Sequence, residues 1–283
     1  MVILYIIISM TAGVSQNCIF NKVCKKELTT NKHIYKYNMY VYSVCILLFS
    51  VMILKENISL FTIGIGIVFG VTTAFTNLYR MKALGTGPLH LTLLIASSSM
   101  IIPTMSGIFF GEAFSLAKLC IVVVLIWFIY LSLGSRSDNS INKQWLIYCF
   151  IAFITQGTIG VLQKIHQTSL HKTEVNGFLL IAFICSLIYS VIMSRTNKEK
   201  VNISKKSWIF ALICGLCTYF NNCVNLMLSG MLPSQIFFPL INGSSIVLSS
   251  ILSVVIFKER LTKIQLLGLC GGIASLIAIC IVP

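Results

Sequence analysis

Thr73, Asn77 and Arg80 stand four and then three residues apart, and Thr218, Asn222 and Asn225 repeat that spacing. Residues so spaced share one face of an α-helix, so each triplet is a polar stripe. Hydroxyls and amides donate and accept hydrogen bonds without titrating, and a guanidinium can grip a carboxylate or phosphate. Such chemistry holds a ligand rather than breaking a bond in one. Asn221 lies beside the second stripe, and two further sets read Ser9, Gly13, Gln16 and Gln156, Gly160, Gln163. The candidate substrate-binding residues are therefore Gln16, Asn77, Arg80, Gln156, Gln163, Asn222 and Asn225. Each has a plainer reading: the amides can act as interhelical glue, and Arg80 can snorkel to a membrane surface with Lys82.

Catalytic constellations are not visible, and no enzyme activity, metal or cofactor is expected. None of the seven acids (Glu27, Glu56, Glu112, Asp138, Glu174, Glu199, Glu259) falls in the middle of an apolar run. His166 and His171 share one short loop with no acid partner inside the membrane, and His90 reads as an interfacial residue. Cys214 and Cys217 form a C-x-x-C, but no second ligand pair accompanies them, so packing is the expectation.

The elements that must position the stripes are apolar. Hydrophobic residues make up 57% of the chain and charged residues 10%, whereas a soluble domain carries about 25% charge. Apolar runs of about 20 residues, the length of a membrane-crossing helix, recur from end to end and do not alternate as barrel strands would. Ten spans follow, near 2–22, 35–54, 58–79, 88–110, 115–134, 144–163, 175–194, 207–228, 234–257 and 262–282. The connections leave no room for a soluble domain. The net charge of +14 thus reads as topology and contact with the lipid bilayer, and no nucleic-acid partner is expected. Loops on one side, with the adjoining helix ends, hold 17 of the 21 Lys and Arg residues. Positive residues favour the cytoplasmic side, which puts both termini outside, in a multi-pass protein of the cell (plasma or inner) membrane.

The chain is also written twice. At an offset of 145, Gly70 meets Gly215, Thr73 meets Thr218, Asn77 meets Asn222 and Pro88 meets Pro233. At 147, Ser97 and Ser98 meet Ser244 and Ser245, Glu112 meets Glu259, and Gln16 meets Gln163. Five spans per half is an odd number, so the second half enters the membrane from the opposite side. The expected fold is an all-α polytopic membrane protein, ten transmembrane helices in two inverted five-helix repeats. Its parts are residues 1–135, a link and the start of the sixth helix at 136–147, and residues 148–283. Inverted repeats typify secondary transporters with a midplane site between the halves.

Certain motifs carry a resemblance. Tyr79, Ala83 and Leu84 precede Pro88, Phe109-Phe110-Gly111-Glu112 closes a hairpin, and Phe257-Lys258-Glu259-Arg260 leads to Gly268 and Gly272. In these the chain resembles the ten-helix, EamA-like members of the drug/metabolite transporter superfamily. It departs from them at Ile121 and Leu125, which stand opposite Gly268 and Gly272, and in the side its charges give the termini. Single-repeat multidrug relatives use a first-helix glutamate to exchange protons for organic cations. Here Gln16 and Asn17 are the polar residues of that helix. A small neutral, zwitterionic or anionic metabolite is the better-fitting substrate. A flippase for a lipid-linked carrier and a membrane channel or sensor are the alternatives. In single-repeat relatives the last helix holds a dimer together, so a homodimer through it is implied, although packing within the chain is the simpler use.

Beside the hairpins, Ser115 and Thr262 read as N-caps, and Thr262 with Gln265 fits a capping box. Glu112 and Glu259 then sit in tight interfacial turns at helix N-termini, where an acid is favourable. Tyr79, Tyr219, Phe220, Phe237 and Phe238 are candidates for the walls of a cavity.

Overall fold

The computed structural model describes residues 2–26, 30–53, 58–86, 89–113, 115–133, 142–196, 204–257 and 262–282. Eleven α-helices run through them. These are α1 (Val2–Lys26), α2 (Asn31–Met52), α3 (Leu60–Thr86), α4 (Leu89–Ser98), α5 (Ile101–Ser106) and α6 (Leu116–Leu133), followed by α7 (Lys143–Thr168), α8 (Val175–Thr196), α9 (Lys205–Met231), α10 (Ser234–Phe257) and α11 (Lys263–Ile281). A 3-10 turn, Gly107–Phe110, follows α5. No strand occurs among the described residues. Seven helices there (α1, α2, α3, α7, α8, α9 and α11) are long and apolar enough to cross a membrane. Glu27, Glu56, Asp138, Glu199, Lys258, Glu259, Arg260, the side chain of His90 and the first half of the 136–147 link (136–141) lie outside the described residues.

Local chemistry sets the helix starts. Asn142 accepts from the Gln144 amide and Ser204 from the Ser207 amide, satisfying donors that a first turn leaves over. Thr262 and Gln265 form the capping box that their spacing predicts. The fourth span departs from expectation: the run drawn as one helix over 88–110 is two, α4 and α5, parted at Ser99 and Met100. Pro103 supplies a reason. It has no amide proton to give the carbonyl four residues back, Ser99, and its ring crowds that carbonyl.

Packing ties the first half of the chain to the second. α3 packs on α7 and α8, while α9 packs on α1 and α2. Two glycines at matching repeat positions allow the closest approaches. A Cβ at Gly70 would lie 2.2 Å from the Ala182 carbonyl oxygen on α8, and one at Gly215 would lie 2.7 Å from Val44 Cβ on α2. At each crossing the neighbouring helix also donates to the glycine's carbonyl: Ser186 Oγ to Gly70 at 2.7 Å, and Cys45 Sγ to Gly215 at 3.4 Å. Small residues make such approaches possible in lipid. Around them lies the larger core, in which Phe49 stacks on Phe183 and Phe69 meets Phe178 edge-on. In a second core α11 packs on α6 and α10, with Gly268, Gly272 and Ser275 buried, so the glycine seam of the last helix is used within the chain.

Outside the helices, Glu174 pins the α7–α8 turn to the start of α3. Its carboxylate accepts from the Ser59 amide and Ser59 Oγ, both at 2.9 Å, and meets His171 Nδ1 at 2.9 Å. Burial raises the pKa of this carboxyl, but hydrogen bonds from Ser59, Thr62 and His171 outweigh that and bring it to about 2. A group with a depressed folded pKa stabilises above its unfolded pKa and loses that contribution as pH falls towards the folded value. Thermal unfolding of detergent-purified protein between pH 6 and pH 3, a window set by the carboxyl's unfolded range of about 4–4.5, is therefore expected to show a larger loss in the wild type than in Glu174→Gln. The glycine crossings give a second expectation. Gly70→Ala forces a methyl against backbone and should cost ~3 kcal/mol or more. Gly64→Ala, where a Cβ meets nothing within 4 Å, should leave Tm unchanged or slightly higher.

Candidate substrate cavity

A cavity of about 160 Å³ lies among α1, α3, α4, α7, α9 and α10. α1 brings Gln16 and Asn17 to it, α3 brings Thr73, Asn77 and Arg80, and α7 brings Gln156. α9 brings Thr218, Asn222 and Asn225, and α10 brings Asn242. A smaller lobe of about 80 Å³ shares Gln156, Asn222 and Asn225 with it and extends to Gln163, Pro103, Phe237 and Phe238. Six of the seven residues singled out from sequence (Gln16, Asn77, Arg80, Gln156, Asn222 and Asn225) thus line the larger cavity, and Gln163 lines the lobe. The two stripes meet because Gly70 and Gly215 each sit one turn before them, and the side chains follow the helix face that those crossings turn inward.

Hydrogen bonds order the wall. Gln16 Nε2 donates to Thr218 Oγ1 at 3.0 Å, across the halves. Ser9 Oγ donates to Asn225 Oδ1 at 2.5 Å, Asn225 Nδ2 to Asn221 Oδ1 at 2.9 Å, and Asn221 Nδ2 back to the Ser9 carbonyl at 3.1 Å. That closed ring fixes α1 on α9. Asn77 Nδ2 donates to the Tyr42 hydroxyl at 2.8 Å. Thr73 Oγ1, buried at the same wall, has no hydrogen-bond partner among the described residues. Arg80 donates through Nη2 to Asn17 Oδ1, and its guanidinium carbon lies 5.9 Å from the centre of the Phe20 ring. Lys82 turns elsewhere, over the rings of Tyr79 and Tyr148. Among the described residues that line the larger cavity none is an acid, a histidine or a lysine.

Aromatic expectations divide. Phe237 and Phe238 wall the lobe, Tyr79 packs on Phe75 and Tyr148, Tyr219 packs on Phe49, and Phe220 is exposed. Asn242 was missed by sequence reasoning because its position in the repeat, Ile95, carries no polar residue. Its only signal is an amide inside an otherwise apolar run.

A further difference concerns Glu112. Beyond its place in a turn, Glu112 forms an ion pair with Lys164 on α7, whose side chain is only 5% exposed. Lys164 Nζ also donates to the carbonyls of Ser229 at 2.9 Å and Leu232 at 3.1 Å. The other Glu112 oxygen accepts from the Ser234 amide at 2.6 Å. Lys164 directly follows the apolar run 144–163, and hydropathy alone gives no sign that it turns inward. His166, one residue pair further on, is also buried and stacks on Phe178.

Fold and cavity together define an all-helical, multi-pass membrane protein. Residues 143–281 match the model of the EamA-like transporter family, so over that stretch the chain is EamA-like and the resemblance read from its motifs holds. That family points to a membrane transporter. Among solved structures 29 chains match. One, a crystal structure, superposes with a TM-score of 0.70 over 97% of this chain and 99% of its own, at 12% identity, a likeness of fold alone. No curated protein matches.

The buried pair generates an expectation of its own. Lys164→Met leaves the largely buried Glu112 carboxylate without its counter-charge and should cost ~3–5 kcal/mol, whereas pairing it with Glu112→Leu should recover most of that. Thermal unfolding of the single and double variants reads the difference.

Proposed function

We propose that this chain carries a small neutral, zwitterionic or anionic metabolite across the cell membrane by alternating access between two inverted five-helix repeats. The repeats would be residues 1–135 and 148–283, with both termini outside. The observation that carries the reading is that matched polar stripes, Thr73–Asn77–Arg80 and Thr218–Asn222–Asn225, line one cavity from opposite halves. The exchange of packing supports it: α3 lies on α7 and α8 as α9 lies on α1 and α2, which is how two halves related by a two-fold axis in the membrane plane would meet. Amides match a ligand rich in hydrogen-bonding groups, and the guanidinium of Arg80 suits a carboxylate or phosphate. The described lining residues include no acid to balance an organic cation.

The test begins with a thermal-shift screen of purified protein against amino acids, nucleosides, sugar phosphates, polyamines and quaternary amines. Hits confined to the cations would overturn the substrate class. For a ligand that stabilises, uptake into proteoliposomes is expected to fall about tenfold in Asn77→Ala and in Asn222→Ala, the loss of roughly one hydrogen bond. The yield of folded protein should stay near wild type. Undiminished flux in both variants would remove the cavity from the pathway.

A further inference from the structure

The polar part of the cavity extends towards Asn17 and Arg80, near the end of α3. In the other direction it narrows into the lobe at Pro103, Gln163, Phe237 and Phe238. Immediately beyond Gln163 comes Lys164. Its ion pair with Glu112 joins the end of the α5 hairpin to α7, and the same two side chains reach the last turn of α9 through Ser229 and Leu232 and the first turn of α10 through Ser234. Four segments from both halves of the chain thus converge on one pair of charges. Next to it, the Ser115 amide donates to Gln235 Oε1 at 3.1 Å and Gln235 Nε2 returns to the Ser115 carbonyl at 3.3 Å.

The backbone is shaped for this pair. Gly111, with φ of +70°, makes the left-handed turn that folds Glu112 back towards the bundle, and the Glu112 amide donates to the Gly107 carbonyl at 3.2 Å. A Cβ at Gly107 would lie 2.5 Å from Glu112 Oε2 and 3.1 Å from Ser234 Cβ. Both glycines are needed before the carboxylate can sit where it does.

We propose that the Glu112–Lys164 pair is the lock that closes this end of the cavity, and that the conformation seen is the one sealed there. The inference rests on the alternating-access reading. A buried ion pair adds little net stability compared with apolar packing of the same volume, so stability alone does not account for charges at this depth. Charges do suit a contact that must be either made or broken. Paired, they satisfy each other and three backbone groups. Apart, at a mouth that has opened to water, each is hydrated, so the two states are close in free energy while intermediate separations are not. An interface of this kind is bistable.

Hydrogen–deuterium exchange on the full-length protein in detergent tests the lock without any substrate. In Glu112→Gln, which keeps an acceptor for Ser234 but removes the charge, backbone exchange over residues 229–236 is expected to rise about tenfold. Exchange at the opposite end, over 80–86 and 143–149, is expected to fall, because opening one mouth closes the other. Exchanging the charges, Glu112→Lys with Lys164→Glu, should bring both ends back towards wild type. Should Glu112→Gln fail to fold, Glu112→Asp weakens the same pair and is read in the same way. A rise at 229–236 with no fall at the other end makes the pair a structural brace and overturns the proposal, leaving the cavity reading intact. A reciprocal change in a protein that moves none of the screened ligands in liposomes supports the lock and counts against transport.

Discussion

Two backbone crossings set the geometry of this protein. At Gly70 and Gly215 a helix of one half lies against a helix of the other more closely than any side chain would allow, and a serine or a cysteine donates to the glycine's carbonyl. In lipid there is no hydrophobic drive to press helices together, so close contact and interhelical hydrogen bonds must do so. The same crossings orient the faces that follow them. Thr73 and Asn77 lie one and two turns beyond Gly70, and Thr218 and Asn222 lie one and two turns beyond Gly215. A polar stripe that would be costly against lipid is in this way rotated onto its counterpart, and the cavity is the space that the two leave between them.

The helices and the stripes were legible in the sequence for the same reason: both are periodic, and the chain states each twice. Asn77 and Asn222 could be picked out by matching one half to the other, without reference to any tertiary contact. Features that break the repeat were not legible. Asn242 has an isoleucine in the equivalent place, Lys164 has Asn17, and Pro103 divides a helix whose apolar character is unbroken. Glu112 was hidden differently. A helix N-terminus next to an acid is a sufficient local account of it, and nothing local reveals a lysine from the far half arriving at the same point. Long-range pairing of single charges is the kind of information that hydropathy and spacing do not contain.

Most of the burial in the chain is apolar, and its few inward charges are handled in two ways. Lys164 meets an opposite charge and two carbonyls in a small space. Arg80 donates to the Asn17 amide oxygen and lies beside the Phe20 ring at a cavity wall. The first arrangement ties segments of both halves to one point, and the second places a cation where it faces a space.

The lining itself has a chemical consequence. Amides and hydroxyls do not titrate in the physiological range, and a guanidinium stays protonated throughout it. The described part of the wall therefore presents one unchanging charge state from mildly acidic to mildly alkaline conditions. At these described residues, any pH dependence of binding would originate in the ionisation of the guest, which makes them readers of their ligand's protonation state.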